Sequence, residues 1–220
     1  MLKQSTGKLL EVGIDEAGRG CLAGPVVAAA VVMPIIDFDD HSEDNDYDIS
    51  ILNLIKDSKK MTRKNRDICR QYIEDTALDY GVGFADNNEI DTMNILRATH
   101  KAMHRALNNL NLTPDMIIVD GNSFQDYYND DNELVDYKCV IGGDNEYMNI
   151  ACASILAKES HDKMIKEYTE TDPLLDERYD WNSNVCYGTQ KHRDGIQEWG
   201  ISQYHRKSFG ICKDNIFKLK

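Results

Sequence analysis

The sequence predicts an α/β protein in which a mixed β-sheet is flanked by helices. Two apolar stretches near the N-terminus, residues 9–15 and 25–33, have the length and composition of neighbouring strands. Strand-like and helix-like segments then alternate, which is typical of parallel strands connected through helices. At 220 residues the chain is long enough to form one domain with a substantial hydrophobic core. We therefore expect a single domain over residues 1–220.

The first half of the chain adds an acidic segment, two helices and a strand. Residues 37–50 contain seven acidic side chains and no lysine or arginine, which favours a loop insertion with little to bury. Thr62 can cap the next helix, because its hydroxyl oxygen can accept a bond from a free N–H group of the first turn. One face of that helix would carry Cys69, Ile73, Ala77 and Tyr80. Residues 81–85 predict a short strand, and residues 88–110 predict a long amphipathic helix.

The second half contains two further strands and two helices. Residues 116–120 and 135–141 have the apolar composition of strands. Residues 149–168 predict a helix whose first half is apolar on nearly every side, as expected of a central helix. We expect residues 170–188 to be irregular and residues 190–200 to form the last helix.

The distribution of charge limits the classes of partner. A net charge of −13 argues against attraction of nucleic acid to the whole surface. Basic side chains nevertheless cluster at residues 56–64, 191–193 and 205–207. If these clusters surround one cleft they form a track for phosphates, and otherwise they are solvated surface. The six cysteines lack the paired spacing of zinc sites.

Two negative observations bear on localisation. The longest apolar stretch, residues 22–36, is interrupted by Gly24, Pro25 and Pro34, so it does not predict a membrane span. Residues 1–8 lack the apolar core of a secretion signal, and the scattered cysteines suit a reducing compartment. We therefore expect a cytoplasmic protein that makes no contact with membranes.

Acidic side chains stand where predicted strands or their loops end, at Asp15, Glu16, Asp120 and Asp144. Strand ends that meet at one edge of an open sheet would bring these carboxylates together. Successive strand residues point to opposite faces, so Asp15 and Glu16 can converge only if the backbone turns there, and Ala17-Gly18-Arg19-Gly20 supplies a flexible turn. Oxygen donors without neighbouring histidine or cysteine favour Mg²⁺ or Mn²⁺ over Zn²⁺, and such ions suit phosphoryl chemistry.

Each acidic position also has a structural interpretation. The Asp15-Glu16 pair could be an exposed strand end, and Asp120 could form a turn with the Gly121-Asn122 pair that follows it. Asp144 could cap the helix that begins near residue 149. By themselves, the residues leave these alternatives open.

A set of short motifs occurs in a fixed order over residues 10–210. The motifs are Ile14-Asp15-Glu16-Ala17-Gly18-Arg19-Gly20, Leu22-Ala23-Gly24-Pro25-Val26-Val27, Asp57-Ser58-Lys59-Lys60, Glu89-Ile90-Asp91, Asn94-Ile95-Leu96, Val119-Asp120-Gly121-Asn122, Gly143-Asp144, Ala153-Ser154-Ile155-Leu156-Ala157-Lys158 and His205-Arg206-Lys207-Ser208-Phe209-Gly210. This ordered set resembles the ribonuclease HII family, the type 2 ribonucleases H. One such motif could occur by chance, whereas the ordered set is specific.

The resemblance implies a ribonuclease H-like fold, with a five-stranded mixed sheet flanked by helices and a C-terminal helical extension from about residue 170. It also implies an endonuclease that hydrolyses the RNA strand of RNA–DNA hybrids, including ribonucleotides embedded in duplex DNA. The products would carry 3′-OH and 5′-phosphate ends. Two Mg²⁺ or Mn²⁺ ions would be bound when the substrate is present, and we expect a monomer.

Particular residues inherit roles from this resemblance. Asp15, Glu16, Asp120 and Asp144 match the catalytic and metal-binding acids. The backbone of Gly18, Arg19 and Gly20 matches the loop that reads the ribose 2′-OH, the group that distinguishes RNA from DNA locally. Tyr187 is similar to the tyrosine that stacks on the sugar beside the scissile junction, and Lys59 and Lys158 would contact phosphates.

The chain departs from the family pattern in three places. The family usually has His-Lys-Gly before its tyrosine, where this chain has Asn184, Val185 and Cys186. Gly142 stands where family members commonly carry a lysine. Both differences remove basic groups near the substrate, and the acidic segment 37–50 would repel DNA if it lies near the cleft.

Two other functions fit parts of the sequence. The loss of basic groups suits a non-catalytic protein that binds hybrids, but such a protein has no need of four converging carboxylates. A small-molecule phosphatase would use the same metal chemistry. The dispersed basic clusters and the Gly18-Arg19-Gly20 motif fit an extended polyanion better than a small substrate.

Overall fold

The computed structural model describes residues 2–4, 10–36, 47–56 and 58–216, which form a five-stranded mixed sheet with helices on both faces. The strands are β1 (Glu11–Ala17), β2 (Val26–Val32), β3 (Asp79–Ala85), β4 (Met116–Asp120) and β5 (Asp136–Val140). Their order in the sheet is β3-β2-β1-β4-β5. The β1–β2 and β2–β3 pairs are antiparallel, whereas β1–β4 and β4–β5 are parallel. The predicted α/β fold with a five-stranded mixed sheet is confirmed.

Helices follow the strands along the chain and dominate its C-terminal third. They are α1 (Ile49–Leu52), α2 (Arg63–Thr76), α3 (Asn87–Met93), α4 (Ile95–Asn108), α5 (Met148–Thr171), α6 (Leu174–Tyr179), α7 (Trp181–Asn184), α8 (Gln190–Trp199) and α9 (Gly210–Asp214). Single 3₁₀ turns occur at Ser58–Lys60 and Gly143–Asn145. None of the helices in the described ranges is long and apolar enough to cross a membrane.

The alternation of side chains along β1 builds a core on each face of the sheet. Val12 and Ile14 belong to the core on the α4 side, and Ala17 belongs to the core packed against α2 and α5. Helix α5 lies very close to β1, because a Cβ atom at Gly13 would come within 2.3 Å of the Asn149 backbone. This close packing fixes α5 beside the strand that carries Asp15.

The predicted helix over residues 88–110 is two helices, because the backbone turns sharply at Asn94. This residue has φ = +73°, a conformation that breaks the helix. Its side-chain oxygen accepts bonds from the N–H groups of Leu96 and Arg97 and so caps α4. The helix predicted to carry Tyr80 ends earlier, at Thr76, and Tyr80 lies in β3.

The prediction of irregular structure over residues 170–188 is wrong. Helices α6 and α7 lie there, and with α8 and α9 they enclose a third core that contains Tyr179 and Trp181. The helices are short and separated by positive φ angles, at Asp180 and Val185, so they lack the periodic pattern that identifies a helix from sequence.

The predicted acidic loop is only partly within the described residues. Residues 37–46 lie outside them. At the other end, the Asp48 carboxylate accepts bonds from the N–H groups of Ser50 and Ile51 and caps α1. Residues 49 and 50 therefore belong to a helix, and the predicted boundary of the loop is too late.

Candidate active site

The carboxyl ends of β1 and β4 bring two of the predicted acids together. Ile14 pairs with Val119 in the parallel register, so the next residues, Asp15 and Asp120, lie side by side. Asp15 is buried against α5, where Ser154 forms a hydrogen bond with its carboxyl group. The Ser154 hydroxyl also lies 2.9 Å from that of Ser58. The sheet register and α5 together set the position of Asp15.

Strand β1 continues past its two acids and turns within the predicted Ala17-Gly18-Arg19-Gly20 segment. It remains paired with β2 through Glu16 and Ala17, and the backbone turns only at Gly18, where φ is +82°. Asp15 and Glu16 therefore leave the strand on opposite faces, near its end. Glu16 is held by Arg19, whose Nη1 donates to Oε1 at 3.0 Å.

Electrostatic repulsion connects three of the acids. Burial raises the pKa of Asp15 well above its usual range, and the negative charges of Glu16 and Asp120 raise it further. Burial also raises the pKa of Glu16, an effect that Asp120 strengthens and that Arg19 and Lys59 oppose. The edge of the sheet thus concentrates negative charge in a place with little water to screen it.

Asp120 and Asp144 are both connected to the 3₁₀ turn at Gly143–Asn145. The N–H group of Gly143 donates to Oδ1 of Asp120 at 2.7 Å, so this carboxylate bonds across to the loop after β5. Asp144 is buried in the turn, and its Oδ1 accepts from the side chain of Asn145 at 2.6 Å. Helix α5 begins after Tyr147 with no side-chain cap, so Asp144 does not have the alternative capping role.

The acids do not form a preassembled metal site. Across residues 2–4, 10–36, 47–56 and 58–216, no three acidic, histidine or cysteine side chains are grouped so that they could hold a metal ion as they stand. Carboxylates that repel one another stay apart until a cation neutralises them. The donor set itself, consisting of carboxylate oxygens, fits a hard divalent cation.

All six predicted substrate-binding residues line one cavity of about 550 Å³, which Glu16 also lines. They are Gly18, Arg19, Gly20, Lys59, Lys158 and Tyr187. Tyr187 is 37% exposed, and burial of its ring raises the pKa of its hydroxyl to about 12. The ammonium group of Lys158 lies 5.6 Å from the centre of this ring and 2.8 Å from a carboxylate oxygen of Asp162.

Two of the three predicted basic clusters are divided between the core and the surface. His192, His205 and Arg206 are completely buried. The sequence does not indicate that these side chains are buried, because the same residue types in the same spacing are usual on a solvated surface. His192, His205 and Arg206 therefore cannot reach a phosphate, whereas Lys191, Arg193 and Lys207 remain exposed and Lys59 of the first cluster lines the cavity.

Arg206 is the site residue that sequence reasoning missed. Its guanidinium donates to the carbonyls of Gly18 (2.7 Å) and Arg19 (3.0 Å). It also donates to those of Gly24 (3.0 Å) and Pro25 (2.9 Å). The loop between β1 and β2 thus wraps around a buried cation from the C-terminal part of the chain.

Comparison with solved structures identifies the fold. The crystal structure of the ribonuclease H2 from Pyrococcus horikoshii OT3 superposes with a TM-score of 0.70 at 21% identity, over 93% of this chain and 95% of that one. A ribonuclease HIII solved in complex with Mn²⁺ gives a TM-score of 0.69 at 19% identity, over 94% of this chain and 69% of that one. The sheet and its acidic edge have the fold of a ribonuclease H.

Comparison of amino-acid sequences shows the family to which the chain belongs. A family model, Ribonuclease HII, matches residues 12–212. The ribonuclease HII of Christiangramia forsetii is 44% identical over 98% of both chains. That of Bacteroides thetaiotaomicron is 43% identical over 96% of this chain and 94% of the relative. The chain belongs to the ribonuclease HII family, whose enzymes are endoribonucleases.

Proposed function

We propose that this protein cleaves the RNA strand of RNA–DNA hybrids, including single ribonucleotides within duplex DNA, in a reaction that requires divalent metal ions. The observation that carries the proposal is the concentration of charge at Asp15, Glu16 and Asp120 beside the cavity lined by Gly18, Arg19 and Gly20. The products would carry 3′-OH and 5′-phosphate ends.

Asp15, Glu16, Asp120 and Asp144 would hold the ions, Mg²⁺ or Mn²⁺, and two ions would be bound with the substrate. Carboxylate oxygens are the donors that these cations prefer, and the mutual repulsion of the acids favours a cation between them. The ions would supply activation of a water molecule and stabilisation of the leaving oxygen. Glu16 is already oriented by Arg19, and Asp120 by the N–H group of Gly143.

The cavity would select the ribose. Gly18 permits the positive φ of the turn, and Gly20 leaves the exposed backbone bare, so its polar groups can approach a 2′-OH without a side chain in between. Tyr187 lies close to the loop, since a Cβ atom at Gly20 would be 3.8 Å from its ring. Its exposed ring can stack on a sugar, while Lys59 and Lys158 would face phosphates.

The test uses two labelled duplexes, one with an RNA strand and one with a single ribonucleotide in DNA, each with and without Mg²⁺ or Mn²⁺. We expect metal-dependent cleavage of both. Asp120→Asn preserves the shape of the side chain but removes a charge, so we expect a loss of cleavage by about two orders of magnitude or more, with hybrid binding retained.

The matched control is Asp126→Asn, because Asp126 is an exposed loop residue. It should cleave at the rate of the parent. Cleavage by Asp120→Asn at that same rate would refute the assignment of the metal site. Binding of hybrids without cleavage by the parent would favour the non-catalytic alternative, and hydrolysis of small phosphate esters alone would favour the phosphatase.

A further inference from the structure

Arg206 occupies an unusual position for a cationic side chain, because it is completely buried and yet pairs directly with no carboxylate of the described residues, although Asp91 attracts it from further away. No ion pair to it occurs within the part of the chain that the structure describes. Its polar partners are four backbone carbonyls, and its guanidinium lies 5.1 Å from the ring centre of Phe209. Burial of a guanidinium without a carboxylate in an ion pair is costly, so its hydrogen bonds to the carbonyls have to offset the loss of hydration.

The positions of the four carbonyls show which parts of the loop Arg206 holds together. Two belong to Gly18 and Arg19, where the loop leaves β1, and two belong to Gly24 and Pro25, where it enters β2. Arg206 therefore joins both ends of the loop through one rigid planar group. A guanidinium carries five N–H donors in a fixed fork, whereas a lysine ammonium is a point donor that cannot span both ends.

The rest of the loop depends on the same geometry. The carbonyl of Gly18 also accepts from the N–H group of Cys21 at 3.2 Å. On the other side, a Cβ atom at Gly18 would lie 2.5 Å from the buried ring of His161, so the backbone is confined there. The loop is thus packed from one side and held by a fork of donors from the other.

We propose that Arg206 is a positioning residue for cleavage: it fixes the backbone of Gly18, Arg19 and Gly20 in the conformation that receives the ribose. This inference rests on the proposed function of that loop. A displacement of about 1 Å in a group that orients the substrate can reduce the rate by about two orders of magnitude. The contribution of Arg206 should therefore appear in kcat, because the loop aligns a substrate that the rest of the cleft already binds.

The test compares Arg206→Lys with the parent on the RNA–DNA hybrid, well below the melting temperature of either protein. Arg206→Lys retains the charge and loses the fork, so we expect kcat to fall at least about tenfold while KM changes less than about threefold. Binding of Mn²⁺ alone, measured by calorimetry, should change less than about twofold, because the acids are not contacts of Arg206.

The control is Tyr179→Phe. The Tyr179 hydroxyl donates to the carbonyl of Gly200 at 3.0 Å, so this variant loses a buried hydrogen bond of the same C-terminal core but no contact with the loop. It should match the parent in kcat. If Arg206→Lys does not fold, Phe209→Leu serves instead, because it removes the ring beside the guanidinium and leaves the four hydrogen bonds; the expected change is smaller and has the same sign.

Amide hydrogen exchange tests the positional claim apart from activity. The Cys21 amide should exchange at least about tenfold faster in Arg206→Lys, or faster in Phe209→Leu, and at the parent rate in Tyr179→Phe. A parent that fails to cleave hybrids would refute the proposed function but leave this exchange result decisive for Arg206. Unchanged kcat and unchanged exchange at Cys21 would overturn the inference.

Discussion

Two buried histidines, His192 and His205, should make the stability of this protein fall steeply in mild acid. The N–H group of Ser202 donates to Nδ1 of His205 at 2.9 Å, so the ring proton of His205 is on Nε2, which donates to Nε2 of His192 at 3.0 Å. Nδ1 of His192 donates in turn to the carbonyl of Tyr187 at 3.0 Å. Both rings are satisfied when neutral, and an added proton would set two donors against each other.

The size of this loss of stability follows from the pKa values of the two histidines. Burial lowers the pKa of His192 to about 4 and that of His205 to about 3, from a usual value of 6.5. Below pH 6.5 the unfolded chain binds protons that the folded chain does not, so the free energy of unfolding falls as the pH falls towards these values. Between pH 7.5 and pH 5, each histidine should cost about 2 kcal/mol of stability, or about 4 kcal/mol together.

Urea unfolding at pH 7.5 and pH 5 measures this loss for the parent and for His192→Asn. The asparagine amide can still donate towards the Tyr187 carbonyl, but one titrating site is gone, so the difference between the two pH values should shrink by about 2 kcal/mol. Gln125→Asn, at an exposed side chain that does not titrate, should leave the difference unchanged. Equal acid sensitivity of the parent and His192→Asn would refute the reasoning.

Three further predictions concern the recognition of the substrate and the stability of the fold. Tyr187→Ala should slow cleavage at a lone ribonucleotide more than cleavage within a long RNA tract, because stacking on the adjacent deoxyribose helps only at the junction. The control is Tyr128→Ala, at an exposed tyrosine. Equal slowing of cleavage of both substrates would make Tyr187 a general positioning residue. Deletion of residues 37–46, which contain six acidic side chains, should preserve cooperative unfolding and tighten hybrid binding at low salt if the segment lies near the cleft, which a salt titration of binding would measure. Loss of cooperative unfolding in that variant would show that the segment is structural. Asn94→Ala should lower the free energy of unfolding by about 1–2 kcal/mol, because it removes the cap of α4 at a residue with positive φ, whereas Asn94→Gly, which suits that φ, should lower it less in the same urea assay.

The sequence predicted the elements that depend on local patterns. Strands β1, β2 and β4 are short apolar runs with turns or acids at their ends, and α5 is an apolar helix in a central position. The break at Asn94 and the short helices α6 and α7 were missed, because both depend on single residues with positive φ rather than on a repeating pattern.

The candidate site shows the same division. Gly18, Tyr187, Lys59 and Lys158 were identified from their motifs, and the structure brings them to one cavity. The predicted turn occurs at Gly18, but β1 remains paired with β2 through Glu16 and Ala17, so the turn does not bring Asp15 and Glu16 to one face. The acids themselves do not indicate where β1 ends, because its end depends on its pairing with β2.

The sequence by itself determined the five strands, the central helix α5 and the position of acids near strand ends, because run length and periodicity are properties of neighbouring residues. Only the tertiary structure decided whether a polar side chain is solvated or buried. His205 and Arg206 have the composition of a surface cluster, yet the chain brings Arg206 to carbonyls more than 180 residues away and encloses it there. Burial depends on which distant segments surround a side chain, and the residues next to it in the sequence do not indicate which segments those are.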